Sequence, residues 1–179
     1  MIVCAGKTEE FTFATPIGVG LIESAMNLTQ AVLFDRPEFI LFIGSAGSYG
    51  HYKPFDIVES RGATQIERSF WQKCAYTPID NAIVSEGLEI EHQTLVNSSN
   101  YITTCSDYNQ AFVKAGIGLE NMEFFSVLRV AQEHTIPAGG IFVVTNYCDN
   151  NAHKEYMNNI EKAKKLLQAY VVAKFKGVR

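Results

Sequence analysis

Two uninterrupted apolar runs, Phe39–Ile43 and Ile141–Val144, constrain the fold of this chain more than any other feature. Both runs consist of β-branched, aromatic and leucine residues, and neither alternates with polar residues. A strand that is apolar on both faces has to be covered on both faces, as in a sheet that lies between two layers of helices. The runs therefore predict two central strands of an α/β domain.

Shorter apolar runs predict further strands, and apolar residues at steps of three to four predict helices. The predicted strands are Ile2–Ala5, Phe11–Ala14, Phe39–Ile43, Ala82–Ser85, His92–Val96 and Ile141–Thr145. The predicted helices are Ile22–Phe34, Glu120–His134 and one that begins after Asn150-Asn151 and continues through Val171. Because strands and helices alternate, we expect a three-layer α/β domain.

Length and composition indicate one globular domain, residues 1–179, with 47% apolar and 19% charged residues. The net charge of -4 argues against a nucleic-acid coat as the main role. No apolar stretch approaches the roughly 20 residues of a membrane-spanning helix, and the N-terminus lacks the features of a signal peptide, so a cytoplasmic protein is expected. Cys4, Cys74, Cys105 and Cys148 form no CxxC pair, so no metal site is predicted.

The segment Gly44-Ser45-Ala46-Gly47-Ser48 lies directly after the predicted strand Phe39–Ile43. An α/β domain builds its ligand sites at the carboxyl ends of its strands. Small residues allow a ligand to approach the backbone, whose N–H groups suit an anion or a sugar oxygen. The spacing matches neither a P-loop nor a dinucleotide fingerprint, and it also fits a plain tight turn.

Two acidic residues, Glu123 and Asp149, lie near the starts of predicted helices, and each has two interpretations. Glu123, near the start of a predicted helix, either stabilises the helix N-terminus or accepts hydrogen bonds from the two adjacent hydroxyls of a ribose. Asp149, which follows the strand Ile141–Thr145, either caps the last helix or acts as a general acid. The residues by themselves leave both questions open.

Together, these segments resemble the nucleoside phosphorylase and nucleosidase superfamily. In that family a Gly-Ser-Gly turn follows a central strand, a Met-Glu pair begins a helix and a Ser-Asp pair ends a later strand. Here Gly44–Gly47, Met122-Glu123 and Cys148-Asp149 match these motifs in order, and Gly18–Gly20 resembles the family's N-terminal glycine turn. The resemblance covers nearly the whole chain and implies an α/β/α fold with a mixed, partly closed central sheet.

The resemblance also implies roles for the matched residues. Met122 and Glu123 would hold the ribose, and Asp149 would hydrogen-bond to or protonate N7 of a purine. Tyr101, with Ile102 next to it, occupies the place of the aromatic residue that stacks on the base. Ser45, Ala46 and Gly47 would also contact the substrate, and Gly20 and Ser45 would face the phosphate or the attacking water. Such chemistry requires no cofactor, because an acid at the base and oxygens near the ribose offset the developing charges.

Three departures from the family pattern bear on the reaction. Phe42 stands where phosphorylases commonly carry a phosphate-binding arginine, which favours either hydrolysis or an unusual phosphate site. The chain is shorter than most members, and the missing length is expected at the N-terminus. Either Glu9 or Glu10 supplies the glutamate that activates water in nucleosidases, or Ile2–Gly6 is a later strand and this glutamate is absent.

The leading hypothesis is an enzyme of nucleoside salvage that cleaves the N-glycosidic bond of a purine nucleoside with phosphate or water. Because family members often complete the pocket with a neighbouring subunit, a homo-oligomer is expected. A second hypothesis is a non-catalytic protein of the same fold that binds a nucleoside or nucleobase. A third, a small Rossmann-like nucleotide-binding domain, is disfavoured by the missing glycine fingerprint.

Overall fold

The computed structural model describes residues 1–175, in which nine strands form one mixed sheet and five helices pack around it. The strands are β1 (Ile2–Cys4), β2 (Thr15–Pro16), β3 (Ile40–Ser48), β4 (Ile57–Ser60), β5 (Gly62–Thr64), β6 (Ala82–Val84), β7 (Leu95–Ser98), β8 (Ile117–Asn121) and β9 (Ala138–Tyr147). The helices are α1 (Gly20–Asp35), α2 (Arg68–Trp71), α3 (Asn109–Lys114), α4 (Phe124–Glu133) and α5 (Ala152–Lys174).

The sheet is organised around β3 and β9, which pair in parallel along their whole lengths. Strand β3 also pairs in parallel with β1 and antiparallel with β8, while β9 pairs antiparallel with β4. The remaining strands continue the sheet outward in the order β8-β7-β5-β6 on one side, with β2 beyond β1 on the other. The expected mixed sheet is therefore confirmed.

Both central strands are covered by helices on both faces, as their continuous apolar sequences predict. Phe42 and Phe142 belong to a core cluster with residues of α1 and α4. Their sequence neighbours Leu41 and Ile141 point to the other face, into a second cluster formed with α5. This alternation produces the three-layer arrangement, since successive residues of a strand face opposite sides.

Strand β3 is longer than predicted and includes Gly44–Ser48, so the expected turn is instead a buried strand. Its small residues are enclosed by larger neighbours: a Cβ added at Gly44 would lie 2.9 Å from the Phe42 ring, and one at Gly47 would lie 2.9 Å from the Cys148 sulfur. The pairing of this segment with β8 and β9 gives it strand geometry. Long-range pairing therefore overrides the turn composition.

Two other predictions also differ from the structure, one in the start of a helix and one in the presence of a strand. Glu120 and Asn121 belong to β8, and the helix predicted from Glu120 begins only at Phe124. Phe11–Ala14 is not a strand, although Phe11 is buried against the α5 side of the sheet. Among residues 1–175, no helix is long and apolar enough to span a membrane.

Candidate active site

A cavity of about 250 Å³ opens where the carboxyl ends of β1, β3 and β9 meet β8. The polar side chains that line it come from the segment after β1, from β3, from the end of β8, from the end of β9 and from α5. They are Thr8, Glu9, Ser45, Glu120, Asn121, Glu123, Thr145, Asn146, His153 and Tyr156. Three carboxylates therefore share one enclosed site, and no lysine or arginine of the described residues lines it.

Glu9 is held against the central strand by both of its carboxylate oxygens. Ser45 donates its backbone N–H to Oε2 at 2.7 Å and its hydroxyl to Oε1 at 2.6 Å. A tight turn presents Glu9 here, because its own N–H donates to the carbonyl of Gly6 at 3.0 Å. Burial raises the pKa of Glu9, and the two hydrogen bonds from Ser45 oppose that rise. The structure thus places one of the two candidate N-terminal glutamates in the cavity, while Glu10 is exposed.

Glu123 lines the same cavity, and its side chain makes no capping hydrogen bond with its own helix α4. Its carboxylate instead accepts the backbone N–H of Gly20, at the start of α1, at 2.9 Å. Asn121 orients the segment, because its Oδ1 accepts the Glu123 N–H at 2.8 Å and its Nδ2 donates to the Ser45 carbonyl at 3.1 Å. Burial raises the pKa of Glu123 to about 7, the Gly20 N–H opposes the rise, and the negative charge of Glu9 adds to it.

The charge of Glu9 makes a testable contribution to the ionisation of Glu123. In Glu9→Gln the nearby negative charge is lost, so ionisation of Glu123 becomes easier and its pKa should fall below about 7. It should stay above the ordinary value of 4.5, because burial, the largest cause of the shift, remains. Carbon-13 NMR titration of labelled glutamate carboxyls measures this pKa. The exposed neighbour provides a control, since Glu10→Gln should leave it unchanged, and an equal shift in both variants would contradict the coupling.

The end of β9 brings Asn146, rather than Asp149, into the cavity. Strand β9 continues to Tyr147, two residues beyond its predicted end, so the polar residues Thr145 and Asn146 lie within the strand. Asp149 follows in the turn before α5, where its Oδ1 accepts the N–H of Asn151 at 2.7 Å. The structure therefore does not bring Asp149 together with Glu9 and Glu123, and the hydrogen bond is the type that stabilises a turn before a helix.

The other predicted residues divide between the cavity and its surroundings. Ser45, Ala46, Gly47, Ile102 and Met122 all line the cavity. Tyr101 does not: it is 77% exposed, and its backbone N–H donates to the Ser99 hydroxyl. Gly20 contributes only through the backbone N–H that it donates to Glu123.

Glu120 and Asn146 are among the cavity residues that the sequence interpretation missed. Glu120 was assigned to a helix, although it directly follows the short apolar run Ile117–Leu119, which is a signal for the end of a strand. Asn146 directly follows Thr145 at the end of the predicted strand, but the sequence motif pointed to Asp149, three positions later. In both cases the missing information was the exact end of a buried strand.

A model of the phosphorylase superfamily matches residues 2–176 of the chain. Among solved structures, 5'-methylthioadenosine/S-adenosyl homocysteine nucleosidase of Helicobacter pylori superposes with a TM-score of 0.81 at 15% identity, over 96% of this chain and 95% of that one. Futalosine hydrolase of Helicobacter pylori gives 0.80 at 16% identity, over 95% and 94%. The MTA/SAH nucleosidase of Streptococcus pneumoniae, in complex with 8-aminoadenine, gives 0.77 at 13% identity, over 96% of both chains. No curated protein sequence matches.

At such identities these likenesses establish the fold. This chain covers about 95% of each of these similar chains. The first strand of this chain is present as β1, which pairs with β3.

Proposed function

The chain belongs to the phosphorylase superfamily, a family of enzymes, and on that premise we propose that it hydrolyses the N-glycosidic bond of a purine nucleoside. The observation that carries this proposal is the placement of Glu9 beside Ser45 in the same cavity as Glu123. One carboxylate is thus available to act on water and another to bind the sugar.

In the proposed reaction, Glu123 accepts hydrogen bonds from the two ribose hydroxyls, and Met122 packs against the sugar. As the bond from C1′ to the base nitrogen lengthens, positive charge grows on the sugar, and the carboxylate of Glu123 offsets it. Glu9 removes a proton from a water molecule whose oxygen forms the new bond to C1′. The base departs with the electron pair of the broken bond and takes a proton from solvent.

At the base, Asn146 replaces Asp149 in our proposal, because only Asn146 lines the cavity. An amide N–H donates a hydrogen bond to a ring nitrogen as that atom gains negative charge, although it cannot transfer a proton. Ser45 positions Glu9, while Ala46, Gly47 and Ile102 enclose the substrate, and Tyr101 remains outside this set.

Water suits this cavity better than phosphate as the attacking group. A phosphate dianion bound beside carboxylates requires compensating cations, which proteins commonly supply as arginine or lysine. Among residues 1–175, the cavity lining offers only His153 as a group that can become positively charged. Arg68 is instead directed to Tyr108 and Asp107, outside the cavity.

We also propose that the protein is a homo-oligomer, as the family resemblance implies. Large apolar side chains are exposed on α1 and beside the cavity mouth, among them Ile22, Met26, Phe34 and Ile102. A second copy packing against them would remove this apolar area from water. Light scattering measures the mass, and a strictly monomeric protein would contradict this proposal.

The proposed function predicts release of free base at a rate that does not depend on phosphate. The substrates to compare are inosine, adenosine, methylthioadenosine, S-adenosylhomocysteine and futalosine, because the similar structures are named for the last three or their analogues. Chromatography of the base, with an assay for reducing sugar, should detect both products with and without phosphate. A sugar phosphate formed only with phosphate would identify a phosphorylase. Binding of a nucleoside without any release would favour the non-catalytic alternative.

A further inference from the structure

Strand β9 contains a β-bulge directly before Asn146. The pairing of β3 with β9 is regular as far as Ala46, which pairs with Val144. The next residue of β3, Gly47, pairs with Asn146 and not with Thr145. Thr145 is therefore one extra residue in β9, which is the definition of a bulge. Bulges redirect the side chains that follow them, and they are frequent beside active sites.

The bulge decides which face of the sheet Asn146 occupies. Residues two apart in a regular strand face the same side. Val144 belongs to the cluster formed with α1 and α4, so without the bulge Asn146 would point into that core. On β3, Gly47 lies four residues after Ile43, which belongs to the α5 cluster. As the partner of Gly47, Asn146 shares the α5 face and lines the cavity there.

Two side chains of α5 satisfy the backbone groups on either side of Asn146. Nδ2 of Asn159 donates to the carbonyl of Thr145 at 2.7 Å. Oε2 of Glu155 accepts the N–H of Tyr147 at 3.0 Å. The two residues are four apart, so they share one face of the helix. Both are half-buried and lie outside the cavity lining, so they can affect a ligand only through the position of β9.

The side chain of Asn146 is oriented by the same two residues whose backbone α5 holds. Its Oδ1 accepts the hydroxyl of Thr145 at 2.8 Å, and its Nδ2 donates to the carbonyl of Tyr147 at 3.0 Å. An amide carries two N–H groups, so one is left for a ligand in the cavity. The direction of that N–H therefore depends on the contacts that α5 makes with the bulge.

We propose that Asn159 and Glu155 are positioning residues, which hold the bulge at Thr145 and thereby aim the amide of Asn146 into the cavity. This inference rests on the proposed function, in which Asn146 donates to the base. When the contacts from α5 are lost, the extra residue is free to shift, and the amide moves away from the base. The two carboxylates of the proposed reaction are held by separate contacts and keep their places.

A double-mutant cycle on the binding of a free base tests the proposal. Asn159→Asp removes the donor with almost no change in shape. Calorimetry with adenine and hypoxanthine should show about 2- to 10-fold weaker binding of the base that wild type prefers, the range for one neutral hydrogen bond. Asn146→Ala should weaken it similarly, and the double variant should bind no more weakly than Asn146→Ala alone. Asn158→Asp, the same change at the adjacent exposed residue, should keep the wild-type affinity.

Non-additivity separates positioning from a general loss of structure. If Asn159 only stabilised the fold, Asn159→Asp would weaken base binding by the same factor with and without the Asn146 amide. That additive result would overturn the proposal. An unchanged affinity in Asn159→Asp or in Asn146→Ala, or a wild-type protein that binds neither base, would also overturn it.

Glu155 provides a second arm of the experiment. Glu155→Gln keeps an acceptor for the N–H of Tyr147 and should keep the wild-type base affinity, whereas Glu155→Met, of similar length, should lose affinity as Asn159→Asp does. Equal affinities in these two variants would contradict the proposal. If a thermal melt shows that Asn159→Asp does not fold, this pair decides the matter.

The outcome for this inference is distinguishable from the outcome for the proposed function. A protein that shows the coupling in base binding but releases no base from any nucleoside would contradict the proposed hydrolysis and leave the positioning role standing. Hydrolysis of a nucleoside together with strict additivity in the cycle would do the reverse.

Discussion

Glu9→Gln is expected to lower kcat for nucleoside hydrolysis by about 100- to 10,000-fold, the usual contribution of a general base. Glutamine keeps an oxygen that can accept from the N–H of Ser45, so the loop after β1 should retain its place. It cannot take a proton from water at neutral pH, so the loss should lie in the chemical step. KM should change little, because Glu9 acts on the water and not on the nucleoside.

Steady-state kinetics and a thermal melt of the two proteins check this expectation. Glu10→Gln is the matched control, because it makes the same carboxylate-to-amide change at the adjacent exposed residue. This variant should keep the wild-type rate. A folded Glu9→Gln enzyme with full kcat would show that another group activates the water. A loss of similar size in both variants would mean that the segment, rather than the Glu9 carboxylate, is responsible.

Glu123→Gln is expected to reduce kcat/KM by about 100- to 1,000-fold, as for the loss of an electrostatic contact made to the transition state. Glutamine can still accept the N–H of Gly20, so the junction between α1 and α4 should survive. The amide has only one acceptor oxygen and carries no charge. It therefore cannot hold both ribose hydroxyls or offset positive charge on the sugar.

The kinetic pattern distinguishes Glu123 from Glu9. Because Glu123 contacts the sugar before and during the reaction, its replacement should raise KM as well as lower kcat. Glu133→Gln, on the exposed side of the same helix, should have no effect on either parameter. Undiminished turnover by a well-folded Glu123→Gln enzyme would remove this residue from the site.

The family and the three-layer fold could be read from local patterns in the sequence. The runs around Phe42 and Phe142 are apolar at every position, and such a strand is stable only when both faces are covered by helices. The Met122-Glu123 pair and the small residues of Gly44–Gly47 are contiguous, so their order along the chain is visible without coordinates. Ser45, Ala46, Gly47, Met122 and Glu123 all line the cavity, and the family that they predict is confirmed.

The exact ends of the strands could not be read in this way. Gly44–Ser48 has the composition of a turn, but pairing with β8 and β9 on its two sides makes it part of a strand. Strand pairing also extends β9 to Tyr147. As a result Asn146, rather than the predicted Asp149, lines the cavity. A strand ends where its pairing ends, and the partners of these strands are tens of residues away in the chain.

Sequence alone determined that this chain forms buried strands with small and acidic residues near their ends, because periodicity and composition are local properties. Only the tertiary structure decided which acidic residues meet. Glu9 reaches Ser45 across 36 positions, Gly20 reaches Glu123 across 103, and Gly47 pairs with Glu120 on one side and with Asn146 on the other. These contacts depend on the order of strands in the sheet, which is set by the packing of the whole core rather than by any segment of it.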